Sequence, residues 1–128
     1  MKQILAIFTV AITIGGAAFA DPVLGTWQTE PDDGSYAYIE MQKCGSAFCG
    51  KIARTFNADG EYASENIGKT LVIDMVAEGG GYYEGKVWRP SNDKIYVGKM
   101  DLSGNKLDLR GCVAGGLICS KQTWTRVD

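Results

Sequence analysis

The sequence predicts an all-β protein: a small antiparallel up-and-down β-barrel of about eight strands, with a two-sheet β-sandwich as the alternative. Three observations predict it. Short segments alternate apolar and polar residues with a period of two, as half-buried strands require. Fifteen glycines and three prolines punctuate residues 21–128 at the spacing of turns. No heptad pattern, internal repeat or low-complexity tract competes with that rhythm. Closing the sheet would remove its exposed edges. Periodicity alone does not separate barrel from sandwich, because inward and outward residues alternate in both.

The elements follow in order. Residues 23–29 make a first strand. Residues 36–43 alternate cleanly, with Ala37, Ile39 and Met41 on one face and Tyr38, Glu40 and Gln42 on the other. A short Cys44-Gly45-Ser46-Ala47 connection leads into 48–54, where Phe48, Gly50 and Ile52 share a face. Residues 70–75 place Leu71, Ile73 and Met75 together, with Asp74 opposed. Glu78-Gly79-Gly80-Gly81 is a turn, because successive glycines supply positive φ without a Cβ clash. The fifth strand, 82–88, is turned by Arg89-Pro90-Ser91-Asn92-Asp93 into the sixth, 94–102. Ser103-Gly104-Asn105 turns that strand into 106–113, and 119–127 closes the chain as the eighth. Residues 55–69 break the rhythm. They are polar and longer than a hairpin needs, and a turn of helix is expected at 62–66. A long connection in a compact domain is either flexible surface or functional.

Residues 1–20 read as a secretory signal peptide: Lys2 supplies the positive start, Ile4 to Ile14 the apolar run, and Ala18-Phe19-Ala20 the small-x-small cleavage site. The run is short for a bilayer span, and Asp21 stands where a lipidated Cys would be. Residues 21–128 are therefore read as one exported, periplasmic or secreted domain with no transmembrane anchor. Without Lys2 that domain carries twelve basic and fifteen acidic side chains, net −3. Nothing there makes a basic footprint for nucleic acid. The chain has no His, which excludes His triads, His-ligated metals and His-bound haem, and removes the commonest general base near neutral pH.

Four cysteines in a small exported domain read as two disulfides. Cys44–Cys49 and Cys112–Cys119 are the favoured pairs, each stapling one hairpin connection and contributing about 2 kcal/mol. A crossed pairing between the hairpins is the second choice. Structural zinc prefers Cys pairs two to four residues apart, and the redox Cys-x-x-Cys spacing is absent. No metal site and no cofactor is expected.

Gly25-Thr26-Trp27 opens the domain and Thr123-Trp124-Thr125-Arg126 closes it. In a closed barrel the first and last strands are neighbours. Gly25 permits close backbone approach, and Arg126 can cover the Trp27 ring by a cation–π contact of about 1 kcal/mol. Gly25, Trp27, Trp124 and Arg126 are thus assigned a structural role. A Gly-x-Trp opening with an Arg on the final strand resembles the lipocalin–calycin barrels, and the resemblance implies a small apolar ligand held inside. Taken whole, the chain resembles the bacterial domain-of-unknown-function family numbered 2147. The matching residues are Gly25-Thr26-Trp27, Cys44-Gly45, Phe48-Cys49-Gly50-Lys51-Ile52, Gly85-Lys86-Val87-Trp88-Arg89-Pro90, Lys94-Ile95-Tyr96, Leu109-Arg110-Gly111-Cys112 and Thr123-Trp124-Thr125-Arg126. Arg89, Asn92-Asp93 and the 55–69 segment depart from the family's usual pattern. The resemblance implies an exported lipocalin-like barrel and no established activity.

Carboxylates are the only acid–base candidates. Glu40, Asp74 and Glu84 fall mid-strand, but alternation turns Glu40 and Asp74 away from the apolar faces. No catalytic constellation is found, so no catalytic residue is assigned, and a carboxylate hydrolase is the weakest reading. Among eleven aromatic side chains in 21–128, Trp27, Tyr38, Tyr83, Trp88 and Tyr96 are the candidates to line a ligand pocket. An eight-stranded barrel can also be filled by side chains alone. Two readings follow. One is an exported, non-enzymatic binding protein for a small apolar or amphipathic ligand. The other is an envelope protein–protein interaction module with a filled core, using an outer face of Tyr36, Tyr38, Tyr82, Glu84 and Trp88.

Overall fold

The computed structural model of the protein describes residues 21–128; the expected signal peptide, 1–20, lies outside them. The described residues form nine strands: β1 (Gly25–Gln28), β2 (Tyr36–Cys44), β3 (Ala47–Asn57), β4 (Gly60–Tyr62), β5 (Thr70–Gly79), β6 (Tyr82–Arg89), β7 (Lys94–Ser103), β8 (Lys106–Val113) and β9 (Ile118–Arg126). All pairings between them are antiparallel. Strands β1, β2, β3, β5, β6, β7, β8 and β9 pair in that order, and β9 returns to β1 with Trp27 opposite Arg126. The sheet is thus a closed eight-stranded barrel, as the alternation predicts, and not a sandwich. The ninth strand, β4, pairs with β3 alone and stands outside the ring.

Period-two burial explains the wall. On β2, Ile39 and Met41 are buried while Glu40 and Gln42 are exposed. Inward residues from every strand of the ring meet in one core that includes Trp27, Ile39, Phe48, Met75, Met100 and Trp124. The two favoured disulfides are the two that form. Cys44–Cys49 clasps the β2–β3 turn, and Cys112–Cys119 joins residues that face each other across β8 and β9. They stand at opposite ends of the barrel.

Two local expectations need correction. No helical turn forms at 62–66. Instead β3 runs on to Asn57 and folds back as β4, tied by a bidentate Arg54–Glu61 pair (2.8 and 2.6 Å) and by the Thr55 hydroxyl donating to the Tyr62 carbonyl at 2.6 Å. The following turns return to β3, where Gly68 N–H donates to Ile52 O at 2.7 Å and Ile52 N–H to Lys69 O at 2.9 Å. Between β4 and that return the chain closes two local turns, Ile67 N–H on Ser64 O at 3.3 Å and Lys69 N–H on Asn66 O at 3.0 Å, so its backbone groups are shared between turns and sheet. Nor do Leu71, Ile73 and Met75 share a face. Strand β5 carries an extra residue at two places against β3, so Leu71 and Val72 are both buried while Ile73 is only half-buried. Asp74 takes a positive φ of 48° at the second irregularity. An inserted residue shifts the phase of every side chain beyond it, and strict alternation does not foresee that.

Candidate ligand cavity

One end of the barrel is sealed by the first residues of the described chain. Asp21 turns back on itself, its carboxylate accepting the Val23 amide at 2.9 Å and the Tyr83 hydroxyl at 2.6 Å. The Trp27 indole N–H donates to Val23 O at 2.9 Å. The Arg126 guanidinium lies 4.3 Å from the centre of the Trp27 ring and donates to the carbonyls of Leu24 and Pro22. Gly25 is required beneath it, because its φ is 122° and a Cβ there would lie 2.9 Å from Arg126 Nη1. Trp27, Met75, Met100 and Leu107 are fully buried in this end, and Phe48 meets Tyr83 edge-to-face at 5.9 Å. Burial, and then the bond to Asp21, pushes the Tyr83 hydroxyl well above its ordinary pKa.

The other end is open. A cavity of about 510 Å³ runs from the rim down to Trp124. That is the size of a small-molecule site, a few hundred to about 1,000 Å³. Its deeper wall is apolar, formed by Ala37, Ile52, Leu71, Val87, Leu109 and Trp124. Gly111 and Ser120 add little bulk, and a Cβ on Gly111 would sit in ordinary contact, 3.6 Å from Tyr96 and Val87. Gln122 shares the wall and accepts the Trp124 indole N–H at 2.9 Å.

The rim is polar and partly charged. Arg89 is the last residue of β6 and continues the inward series Tyr83, Val87, so its guanidinium reaches the mouth. It meets Asp32 of the β1–β2 connection through two parallel bonds, Nε to Oδ2 at 2.9 Å and Nη2 to Oδ1 at 2.8 Å. The Ser91 hydroxyl adds a third at 3.2 Å. The hydrogen bonds from Arg89 hold the Asp32 carboxyl below its ordinary pKa, against the opposing push of partial burial. Glu30 accepts the Thr123 amide, and Tyr96 accepts a bond from Asn92 at 2.8 Å.

Of the five candidate pocket aromatics, the structure brings Trp88 and Tyr96 to the cavity. Trp88 stands at its edge with its indole N–H on Asp93 at 2.8 Å and the Lys69 ammonium 5.7 Å from the ring centre. Trp27 and Tyr83 belong to the sealed end. Tyr38 lies outside, its ring tilted against Phe56 at 4.7 Å beneath Arg54. Nor do Tyr36, Tyr38, Tyr82, Glu84 and Trp88 form one outer face: Tyr36 and Trp88 line the cavity, and Tyr38 on β2 is separated from Tyr82 and Glu84 on β6 by β3 and β5. Arg89, Asp32, Gln122 and Gly111 also line the cavity and are not among the pocket candidates that the sequence suggests. Extending the β6 alternation one step past Val87 would have found Arg89.

The three mid-strand carboxylates do not line the cavity. Glu40, Asp74 and Glu84 are exposed, and Glu84 accepts the Tyr82 hydroxyl at 2.8 Å. Burial and that bond push Tyr82 up to about 12. Asp74 lies 3.8 and 3.7 Å from the sulfurs of Cys44 and Cys49, but those sulfurs are bonded to each other and carry no thiolate. The group offers one carboxylate where a metal would need several donors.

These features define a closed β-barrel with one sealed end and a ligand-sized cavity at the other. The chain belongs to the bacterial family described as "Uncharacterized protein conserved in bacteria (DUF2147)", which it matches over residues 25–126. No curated protein matches it by sequence. Its fold is similar to that of protein HP1028 from Helicobacter pylori, a member of the lipocalin family, at 18% identity over 82% of each chain and a TM-score of 0.66. Fatty-acid-binding protein 1 from Echinococcus granulosus aligns at 12% identity over 84% of this chain and 98% of its own, with a TM-score of 0.49. The likeness to HP1028 makes the barrel lipocalin-like in fold.

Proposed function

We propose that the protein is an exported, non-enzymatic binding protein that holds a small apolar or amphipathic ligand inside its barrel. The observation that carries this reading is the cavity of about 510 Å³, apolar in depth and polar at the rim. Such a site removes an apolar body from water, at about 0.8 kcal/mol per buried methylene, and leaves a polar end at the mouth. Export is supported by the leader-like first twenty residues and by two disulfides, which persist in oxidising compartments. Among the described residues no helix is long and apolar enough to cross a membrane.

The test is calorimetric titration with uncharged apolar probes, led by 1-decanol, of wild type and Gly111→Leu. A leucine at 111 would project between Tyr96 and Val87 into the cavity without a backbone clash. Binding by wild type and its loss in Gly111→Leu, with the melting temperature preserved, is the expected result. Wild type that binds none of the probes overturns the reading.

A further inference from the structure

The ligand's polar end can be assigned from the ion pair at the mouth, and this assignment rests on the cavity reading above. Arg89 is carried by the barrel wall, as the last residue of β6 paired to Lys94 of β7. Asp32 is carried by the β1–β2 connection, which lies outside the barrel ladder. There Asp32 and Ser35 pair with each other around Asp33 and Gly34, both at positive φ, in a self-contained two-residue turn. The backbone that carries the cation is thus held by the barrel ladder, and the anion sits on a separate turn. The two side chains are 48% and 27% exposed, so solvent reaches the pair and an incoming anion meets it without opening a buried contact.

The geometry around Arg89 shows what fits there. Its planar fork is matched by both oxygens of one carboxylate, and Ser91 supplies a third donor to the same group. A carboxylate is the planar acceptor that such a fork recognises best. Val87, two residues below Arg89 on the same inward face, begins the apolar wall that continues to Leu71 and Leu109. A carboxylate placed on Arg89 would therefore have apolar depth directly beneath it. Asp32 has only its own short side chain to offer that depth.

We infer that the cavity takes an amphiphile with a carboxylate head, which replaces Asp32 on Arg89 and Ser91 while its apolar tail lies against Val87, Leu71 and Leu109. Asp32 is then a built-in competitor for the head-group position. A cationic amphiphile would have to take the place of the Arg89 side chain on Asp32, which sits on the separate turn and not on the strand that carries Val87.

The test compares decanoate with 1-decanol by calorimetric titration at pH 7.5, where the carboxylate is ionised. Wild type should prefer decanoate. Arg89→Gln should weaken decanoate about tenfold and leave decanol within about twofold. Asp32→Asn should tighten decanoate about three- to tenfold without changing decanol, because it removes the competitor and spares the fork. That gain should vanish in the Arg89→Gln/Asp32→Asn double variant, since both act on one position. Thermal melts confirm that each variant is folded. A purely structural ion pair predicts the opposite for Asp32→Asn, a loss or no change in decanoate affinity, and either result overturns the inference. So does an equal loss of both ligands in Arg89→Gln. If decanol binds wild type and the head group makes no difference, only this inference fails; if neither ligand binds, the cavity reading fails with it.

Discussion

The two ends of the barrel are built from the same strands with the same alternation, yet one is packed shut and the other is hollow. At the sealed end the inward positions hold Trp27, Phe48, Met75, Tyr83, Met100 and Leu107, and the chain from Asp21 to Leu24 folds across them. At the open end the inward positions include Ala37, Thr55, Gly111 and Ser120, and the Arg89–Asp32 pair bridges the mouth. An eight-stranded ring is just wide enough for side chains to fill. Whether it holds a cavity is therefore decided layer by layer by side-chain volume, not by strand number. Aromatic and sulfur side chains close one layer, and small ones leave the next open.

The largest test of that contrast is removal of a tryptophan from each end. Trp27→Ala would delete a fully buried ring, leave Arg126 above a void and orphan the Val23 carbonyl. We expect a loss of about 3–5 kcal/mol, which in a domain of this size lowers the melting temperature by about 4–8 °C for each kcal/mol. Trp88→Ala, at the half-exposed edge of the mouth, should cost no more than about 1 kcal/mol. Urea denaturation followed by circular dichroism measures both. Equal losses would mean that the mouth is packed as tightly as the sealed end, and the contrast would fall.

Glycines sharpen the comparison at a smaller scale. A Cβ on Gly85 would lie 2.6 Å from the carbonyl oxygens of both Ile73 and Asp74, where β5 bulges against β6. Backbone cannot swing aside as a side chain can, so Gly85→Ala should destabilise by about 1–3 kcal/mol. Gly111→Ala meets only ordinary contacts at 3.6 Å. It should be neutral or stabilise by up to about 1 kcal/mol, through the reduced freedom of the unfolded chain. The same denaturation curves decide it, and a Gly111→Ala variant as unstable as Gly85→Ala would show that the open layer has no spare room.

The sealed end was more legible in the sequence than the mouth, for physical reasons. Gly25, Trp27 and Arg126 sit on the first and last strands, which any closed antiparallel barrel must bring together, so their contact follows from topology alone. The favoured disulfides were legible because each joins the two sides of one connection. The mouth depends on things that spacing does not encode. The bulges on β5 turn Leu71 and Val72 inward together, and the β4 arm replaces an expected turn of helix. The Asp32-bearing turn reaches Arg89 across 57 positions of sequence. An aromatic count cannot distinguish Tyr83, whose hydroxyl is tied to Asp21 in the core, from Tyr96 on the cavity wall. Both face inward, and only their height along the barrel differs.

The smallest effect separates the two ends by pH. Tyr83 is held above its ordinary pKa, first by burial and then by Asp21, so the fold favours its neutral hydroxyl. That contribution is complete below the ordinary tyrosine range near 10 and is lost as pH rises beyond it. Asp32 is shifted the other way: Arg89 favours its ionised form, so its contribution is present above the ordinary carboxylate range near 4 and is lost as pH falls through the lower folded value. Alkaline pH should therefore loosen the sealed end and acid the latch at the mouth. Tyr83→Phe should flatten the alkaline fall in melting temperature without abolishing it, because Tyr82, pushed up to about 12, titrates on the same side. Asp32→Asn should flatten only the acid fall, and by less, since a half-exposed pair is screened by solvent and salt. Melts from pH 3 to 11, repeated in high salt, read both limbs. Salt should erase the Asp32 difference and spare the Tyr83 difference; the reverse would place the weaker electrostatics at the wrong end of the barrel.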